Sequence, residues 1–172
     1  AESMTQEWTI REGRLHGTLD VTIRAEAGDR FKLLTEPAVL GGFEGAGLRV
    51  IKIKPGERNE YWLVAESAGR FTGRATFEMP LADPVSGWEF PGGPAAMRKV
   101  SLRWDQAGWD FTSSNAASIT AIQGLKANES GAVMILGPSD AVTFKASPKQ
   151  RDVGTEETKF FAEVSNLFVP GP

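Results

Sequence analysis

The chain contains no cysteine. Disulfides, thiolate nucleophiles, zinc fingers and iron–sulfur ligation are therefore excluded together. The redox compartment stays open, because an oxidising space permits disulfides without requiring them. A single histidine, His16, excludes any two-histidine metal site. A serine triad would have to use it, and no Gly-x-Ser-x-Gly elbow or Ser-x-x-Lys motif accompanies it. Long apolar runs are missing too: Ala132–Leu136 is typical, far short of the ~20 residues that span a bilayer as a helix. Net charge is only −3, with basic residues scattered rather than grouped, so nucleic acid is not an expected partner. No charged-then-apolar leader opens the chain, and Ala1-Glu2-Ser3 and Pro170-Gly171-Pro172 read as the ends of a piece from a longer protein.

What is present is a two-residue period. Leu15, Gly17, Leu19, Val21, Ile23 and Ala25 alternate with His16, Thr18, Asp20, Thr22 and Arg24. Successive side chains of an extended strand point to opposite faces, so Leu15–Ala25 reads as a strand with one face on a core and one in water. On this reading His16 is a solvated side chain. Glu7–Arg11 forms a preceding strand, with a break at Gly13. At 172 residues, 41% hydrophobic and 24% charged, the chain should bury roughly 70% of the surface it exposes when unfolded.

The period recurs along the chain. Phe31 and Leu33 open a strand that Pro37 limits. Gly41–Gly47 reads as a turn with close backbone packing, since it leads into a strand rather than the helix that a phosphate-cradling loop needs. Leu48–Ile53 shows a one-residue slip that suggests a β-bulge. Glu60–Glu66 is apolar on both faces, predicting cover on both, and with Arg70–Met79 it reads as a hairpin. Asp83–Pro94 is rich in glycine and proline. Beyond it, Val100–Trp104 and Trp109–Phe111 read as a second hairpin that sets Trp104 opposite Trp109. Ser118–Gln123, Ala132–Leu136 and Ala141–Ala146 follow as short strands. Gly124 and the β-branched residues weigh against a helix over Asn115–Ala127. A polar linker, Ser147–Glu157, then leads to an apolar strand, Lys159–Val169.

About a dozen short strands separated by turn signals predict an all-β fold, an antiparallel β-sandwich. Residues 1–82 and 99–172 would form two lobes or sheets joined by 83–98, with one compact domain the favoured arrangement. No cofactor and no metal are expected. Asp140 and Asp152 stand alone, and the neighbouring pairs Glu156/Glu157 and Asp105/Asp110 sit in polar turn or loop contexts. Among the five tryptophans, Trp104 is in phase with Val100 and Leu102, and Trp109 with Phe111, which favours core packing. Trp88, inside the Gly/Pro-rich connection, is the one expected to be partly exposed. Trp88, Trp104 and Trp109 are the candidate ligand-binding residues if the chain binds carbohydrate.

Arg30–Leu34, Gly47-Leu48-Arg49-Val50, Tyr61–Val64 followed by Gly69, and Thr76–Leu81 form a pattern similar to β-rich segments of very large bacterial envelope proteins. The resemblance rests on strand patterning and carries no catalytic motif. It implies a non-catalytic structural or protein-interaction module of a larger extracytoplasmic protein, in the periplasm or cell envelope. The partners it implies are proteins or neighbouring domains of the same chain, with a glycan as the alternative.

Overall fold

The computed structural model describes residues 1–139 and 141–150. The strand expected over Lys159–Val169 and most of the linker before it lie outside these residues. The described residues form thirteen strands: β1 (Ser3–Arg11), β2 (Arg14–Ala25), β3 (Arg30–Thr35), β4 (Val39–Glu44), β5 (Leu48–Ile53), β6 (Glu60–Ala65), β7 (Gly69–Pro80), β8 (Trp88–Glu89), β9 (Met97–Trp104), β10 (Trp109–Ser113), β11 (Ala116–Ala121), β12 (Ser130–Leu136) and β13 (Thr143–Pro148). There is no helix among them, so none is long and apolar enough to cross a membrane. The all-β class expected from the alternation is the one observed.

A seven-stranded sheet has the order β11-β12-β9-β1-β2-β7-β4, and two three-stranded sheets have the orders β10-β13-β8 and β3-β6-β5. Neighbours are antiparallel except β1 and β9, which run parallel from Ser3 beside Met97 to Ile10 beside Trp104. That pairing places strands from both halves of the sequence side by side in one sheet. The Gly/Pro-rich stretch between the halves contributes β8 to the sheet built with β10 and β13.

Alternation makes the large sheet two-faced. Met4, Trp8 and Ile10 of β1, Leu15, Leu19 and Ile23 of β2, Ala75 and Phe77 of β7, and Val100 and Leu102 of β9 are all buried. β1 and β2 meet through Glu12 and Gly13, both at positive φ (51° and 70°), the conformation that a two-residue hairpin turn needs. Gly17 is opposite Phe77, and a Cβ on it would lie 2.2 Å from the ring. The opposite face carries exposed polar pairs, including Arg74 Nε and Nη2 each 2.8 Å from Asp20, and a hydrogen bond of 3.1 Å between His16 Nδ1 and Glu78. Exposed pairs of this kind contribute little to stability individually.

The buried face receives aromatic rings from the β10-β13-β8 sheet. Trp8 meets Phe144 edge-on at 4.9 Å and Trp88 at 6.4 Å, while Trp88 stacks on Phe144 at 5.6 Å. Rings of this size dominate core energetics, each burying on the order of 200 Å². Leu33, Leu34, Leu48, Leu63 and Ala65 from the β3-β6-β5 sheet join the same buried cluster.

Four local expectations are corrected. Glu60–Glu66 and Arg70–Met79 are adjacent in sequence, yet β6 pairs with β3 and β5 while β7 pairs with β2 and β4; the hairpin is β5 with β6. The phase slip in β5 is no bulge, because its register with β6 is continuous; the irregularity lies in β3, between Lys32 and Leu34. Gly41 and Gly42 belong to β4, where a bulge sits against β7, so only the end of the Gly41–Gly47 stretch turns. Trp104 and Trp109 are not hairpin partners: β9 lies between β1 and β12, and β10 pairs with β13.

Candidate functional site

A concave space of about 680 Å³ opens between the β3 edge of the three-stranded sheet and the segment Glu89–Pro94, with Ala141–Thr143 at its end. The wall from residues 89–94 is pinned to β3 by backbone bonds. Thr35 N–H donates to the Pro91 carbonyl (2.8 Å), Gly93 N–H donates to the Leu33 carbonyl (3.3 Å), and Leu34 bridges Gly92. β3 ends just before the Glu36–Pro37 peptide, which is cis.

The other wall is the β3 side of the outer face of the β3-β6-β5 sheet, where Arg30, Lys32 and Trp62 line the space; Ile51, Val64 and Arg49 lie on the same face outside it. Register places Lys32, Trp62 and Ile51 in one row across it, and Arg30, Val64 and Arg49 in the next. The opposite side of β6 is buried through Leu63 and Ala65. Trp62, Val64, Ile51 and Ile53 are half-buried but do not pack against the core. The cover expected on both faces of Glu60–Glu66 is thus present on one only, because no described strand lies over the other.

At the centre is a polar triad. Lys32 Nζ lies 2.6 Å from Glu60 Oε1, and Trp62 Nε1 donates to Glu60 Oε2 at 2.8 Å. Lys32 also sits over the Trp62 ring, 5.6 Å from its centroid. Burial pushes the Glu60 carboxyl up, but the hydrogen bonds from Lys32 and Trp62, with the Lys32 charge, outweigh it and hold the carboxyl below its ordinary value. The rim acids are engaged as well. Glu36 accepts from the Asn59 backbone and side-chain amides (2.7 and 2.6 Å), which hold its carboxyl low, and Glu89 pairs with Arg58 at 2.5 Å. Arg30 and Arg49 have no carboxylate within ion-pair distance among the described residues.

The tryptophans singled out from the sequence are elsewhere. Trp88 is 7% exposed and Trp104 6%. The partial exposure expected of Trp88 is therefore not found, because β8 makes it a core residue stacked on Phe144. Its Nε1 has no hydrogen-bond partner among the described residues. Trp104 and Trp109 do meet, with ring centroids 4.9 Å apart, but across two sheets. Half-buried Trp109 lines a separate space of about 300 Å³ with Asp110, Glu129 and Lys149. Sequence reading passed over Lys32 and Glu60 and set Trp62, in phase with Val64, in the core; the structure leaves Trp62 half-buried and off the core cluster, because β6 is covered on its other face only. The available signal was the two-faced apolar pattern of β6, whose outer half marks the cleft.

No family model matches the chain, and no curated relative matches its sequence. Its fold is similar to that of part of yeast LTA4 hydrolase, with a TM-score of 0.52 at 10% identity over 90% of this chain and 30% of that one. An M1 zinc metallopeptidase from Deinococcus radiodurans matches at a TM-score of 0.47 and 13% identity over 84% of this chain and 41% of that one. The chain thus spans less than half the length of either protein. The likeness to the yeast structure is one of fold. Among the described residues, no group of three or more His, Cys, Asp or Glu side chains converges.

Proposed function

We propose that this chain is a non-catalytic, protein-interacting β-module of a larger extracytoplasmic bacterial protein, and that the outer face of its β3-β6-β5 sheet, with the adjoining cleft, is where a partner or neighbouring domain docks. The observation that carries this reading is the patch of half-buried side chains Trp62, Val64, Ile51 and Ile53 on a face that no described element covers. A contiguous apolar patch rimmed by polar groups marks an interaction surface rather than ordinary exterior. On the ion-paired seven-stranded sheet, the exposed apolar side chains Val39, Met97 and Ile119 stand singly on strands that are not neighbours. The strand pattern similar to envelope-protein segments supports the extracytoplasmic placement.

The test is photo-crosslinking in the native host, with a benzophenone amino acid in place of Ile51 or, as control, Thr72 on the exposed face of β7. The expected result is a discrete adduct from position 51 and none from 72, in the extracytoplasmic fraction. Equal diffuse labelling at both positions would overturn the docking face, and recovery from the cytosol would overturn the placement. Zinc-dependent turnover of aminoacyl nitroanilides by the purified chain would overturn the non-catalytic reading. A second reading, glycan binding, keeps one observation: Trp109 is half-buried beside Asp110, Glu129 and Lys149, a ring with polar neighbours. Trp88 and Trp104 cannot stack on a sugar from their buried positions.

A further inference from the structure

Given that the outer face of the β3-β6-β5 sheet is a docking face, its chemistry specifies the kind of partner. The chain as a whole is acidic, at −3. This face reverses that sign, since its two central rows carry Arg30, Lys32 and Arg49. Lys32 is spent on Glu60. The two guanidinium groups, on strands separated by β6, have no carboxylate partner among the described residues. Glu36 and Glu89, the acids at the cleft rim, are already occupied by Asn59 and Arg58. What the face offers is therefore apolar surface, Trp62 with Ile51 and Val64, beside two exposed planar cations that no carboxylate among the described residues engages and whose fork geometry matches carboxylates.

The cleft's shape selects among anionic partners. Its second wall, Glu89–Pro94, lines the same space as Trp62, and a walled cleft suits a single extended chain better than a flat bilayer. On such a chain, alternate residues face the same way and lie about 7 Å apart. It can direct acidic side chains to one edge and apolar ones to the ring.

We infer that this face binds an extended acidic segment of a partner protein, its apolar side chains on Trp62 and Ile51 and its carboxylates on Arg30 and Arg49. This rests on the docking reading above and adds the partner's chemistry to it.

The experiment measures fluorescence anisotropy of a labelled decapeptide alternating glutamate with phenylalanine, titrated with the intact chain. The same peptide with glutamine for glutamate is the neutral comparison. The expected results are saturable binding of the glutamate peptide, at least tenfold weaker binding of the glutamine peptide, and at least tenfold loss in the Arg30→Glu/Arg49→Glu variant. Lys99→Glu, on the exposed face of β9, should bind as the parent does. Both changed arginines are exposed, and far-ultraviolet circular dichroism confirms that the variant keeps its fold. Absent binding, equal binding of the two peptides, or equal loss in Lys99→Glu overturns the inference. So does binding of phosphatidylglycerol vesicles that Arg30→Glu/Arg49→Glu abolishes, because the anion recognised would then be a lipid surface. Capture of residues 151–172 of the same chain by the position-51 photo-probe overturns it as well, the face then being filled from within. A position-51 adduct with a neutral or basic partner surface would overturn the acidic-segment inference and leave the docking reading standing. Loss of any discrete adduct would remove the docking reading itself.

Discussion

A Cβ placed on Gly93 would lie 2.1 Å from the carbonyl oxygen of Lys32, so the two walls of the cleft meet backbone to backbone at this point. No rotamer change can relieve that contact. Gly93→Ala must instead prise the 89–94 segment from β3, weakening the Gly93–Leu33 hydrogen bond. The expected cost is about 1–3 kcal/mol, as for overpacking elsewhere. Gly56→Ala, where a Cβ would meet nothing within 4 Å, is expected to be close to neutral. Urea denaturation of the two variants measures the difference, and equal midpoints would refute the backbone contact.

Trp8 Nε1 donates to Gln6 Oε1 at 2.6 Å, and both side chains are buried in the large sheet. Gln6→Leu keeps the volume and removes the acceptor, leaving an indole N–H without a partner. Stability should fall by about 1–3 kcal/mol. A Trp8→Phe background should abolish most of that cost, because the orphaned donor is then absent; additive losses in the double variant would count against the pair.

The Glu60 carboxyl is held below its ordinary value in the folded chain, chiefly through Lys32 and Trp62 acting against burial. A folded-state pKa below the unfolded one, about 4.3 for glutamate, means that the ionised form stabilises the fold. That contribution is complete above the unfolded pKa and is lost as pH falls through the folded one. Glu60→Gln is therefore expected to cost about 1 kcal/mol near neutrality, a figure discounted because Lys32 is partly exposed. The gap between variant and parent should narrow below about pH 4.3. A gap independent of pH from 7 to 3 would show that the charge is not what matters.

Trp62 and Trp109 are half-buried, whereas Trp8, Trp88 and Trp104 are buried. Acrylamide should therefore quench chiefly the emission of the first pair. Trp62→Phe and Trp109→Phe are each expected to reduce the quenchable fraction, and Trp88→Phe to leave it unchanged. Strong quenching of the emission lost in Trp88→Phe would place that ring at the surface, against the core packing on Phe144.

Much of the strand content was legible in the sequence. In Leu15–Ala25 the odd-numbered residues are buried and the even-numbered ones are not, as the alternation requires. The break at Gly13 and the limit at Pro37 also fall where chain chemistry puts them. The cleft was legible only as an anomaly, the extra apolar face of Glu60–Glu66. Its other wall could not be read, because nothing local to Glu89–Pro94 says that it will bond to β3 some sixty residues earlier.

By itself, the order of side chains determined that this protein would be built of strands and which side of each would shun water, because a two-residue period is a property of one extended chain and needs no neighbour. Only the tertiary structure decided who pairs with whom. It separated β6 from β7, laid β1 alongside β9, drew Trp88 inward, and left Trp62 on an uncovered face beside the row of Arg30, Val64 and Arg49. Pairing is a contest among many strands with similar backbone hydrogen-bonding capacity, and it is resolved by packing across the whole core, which no local window of sequence contains.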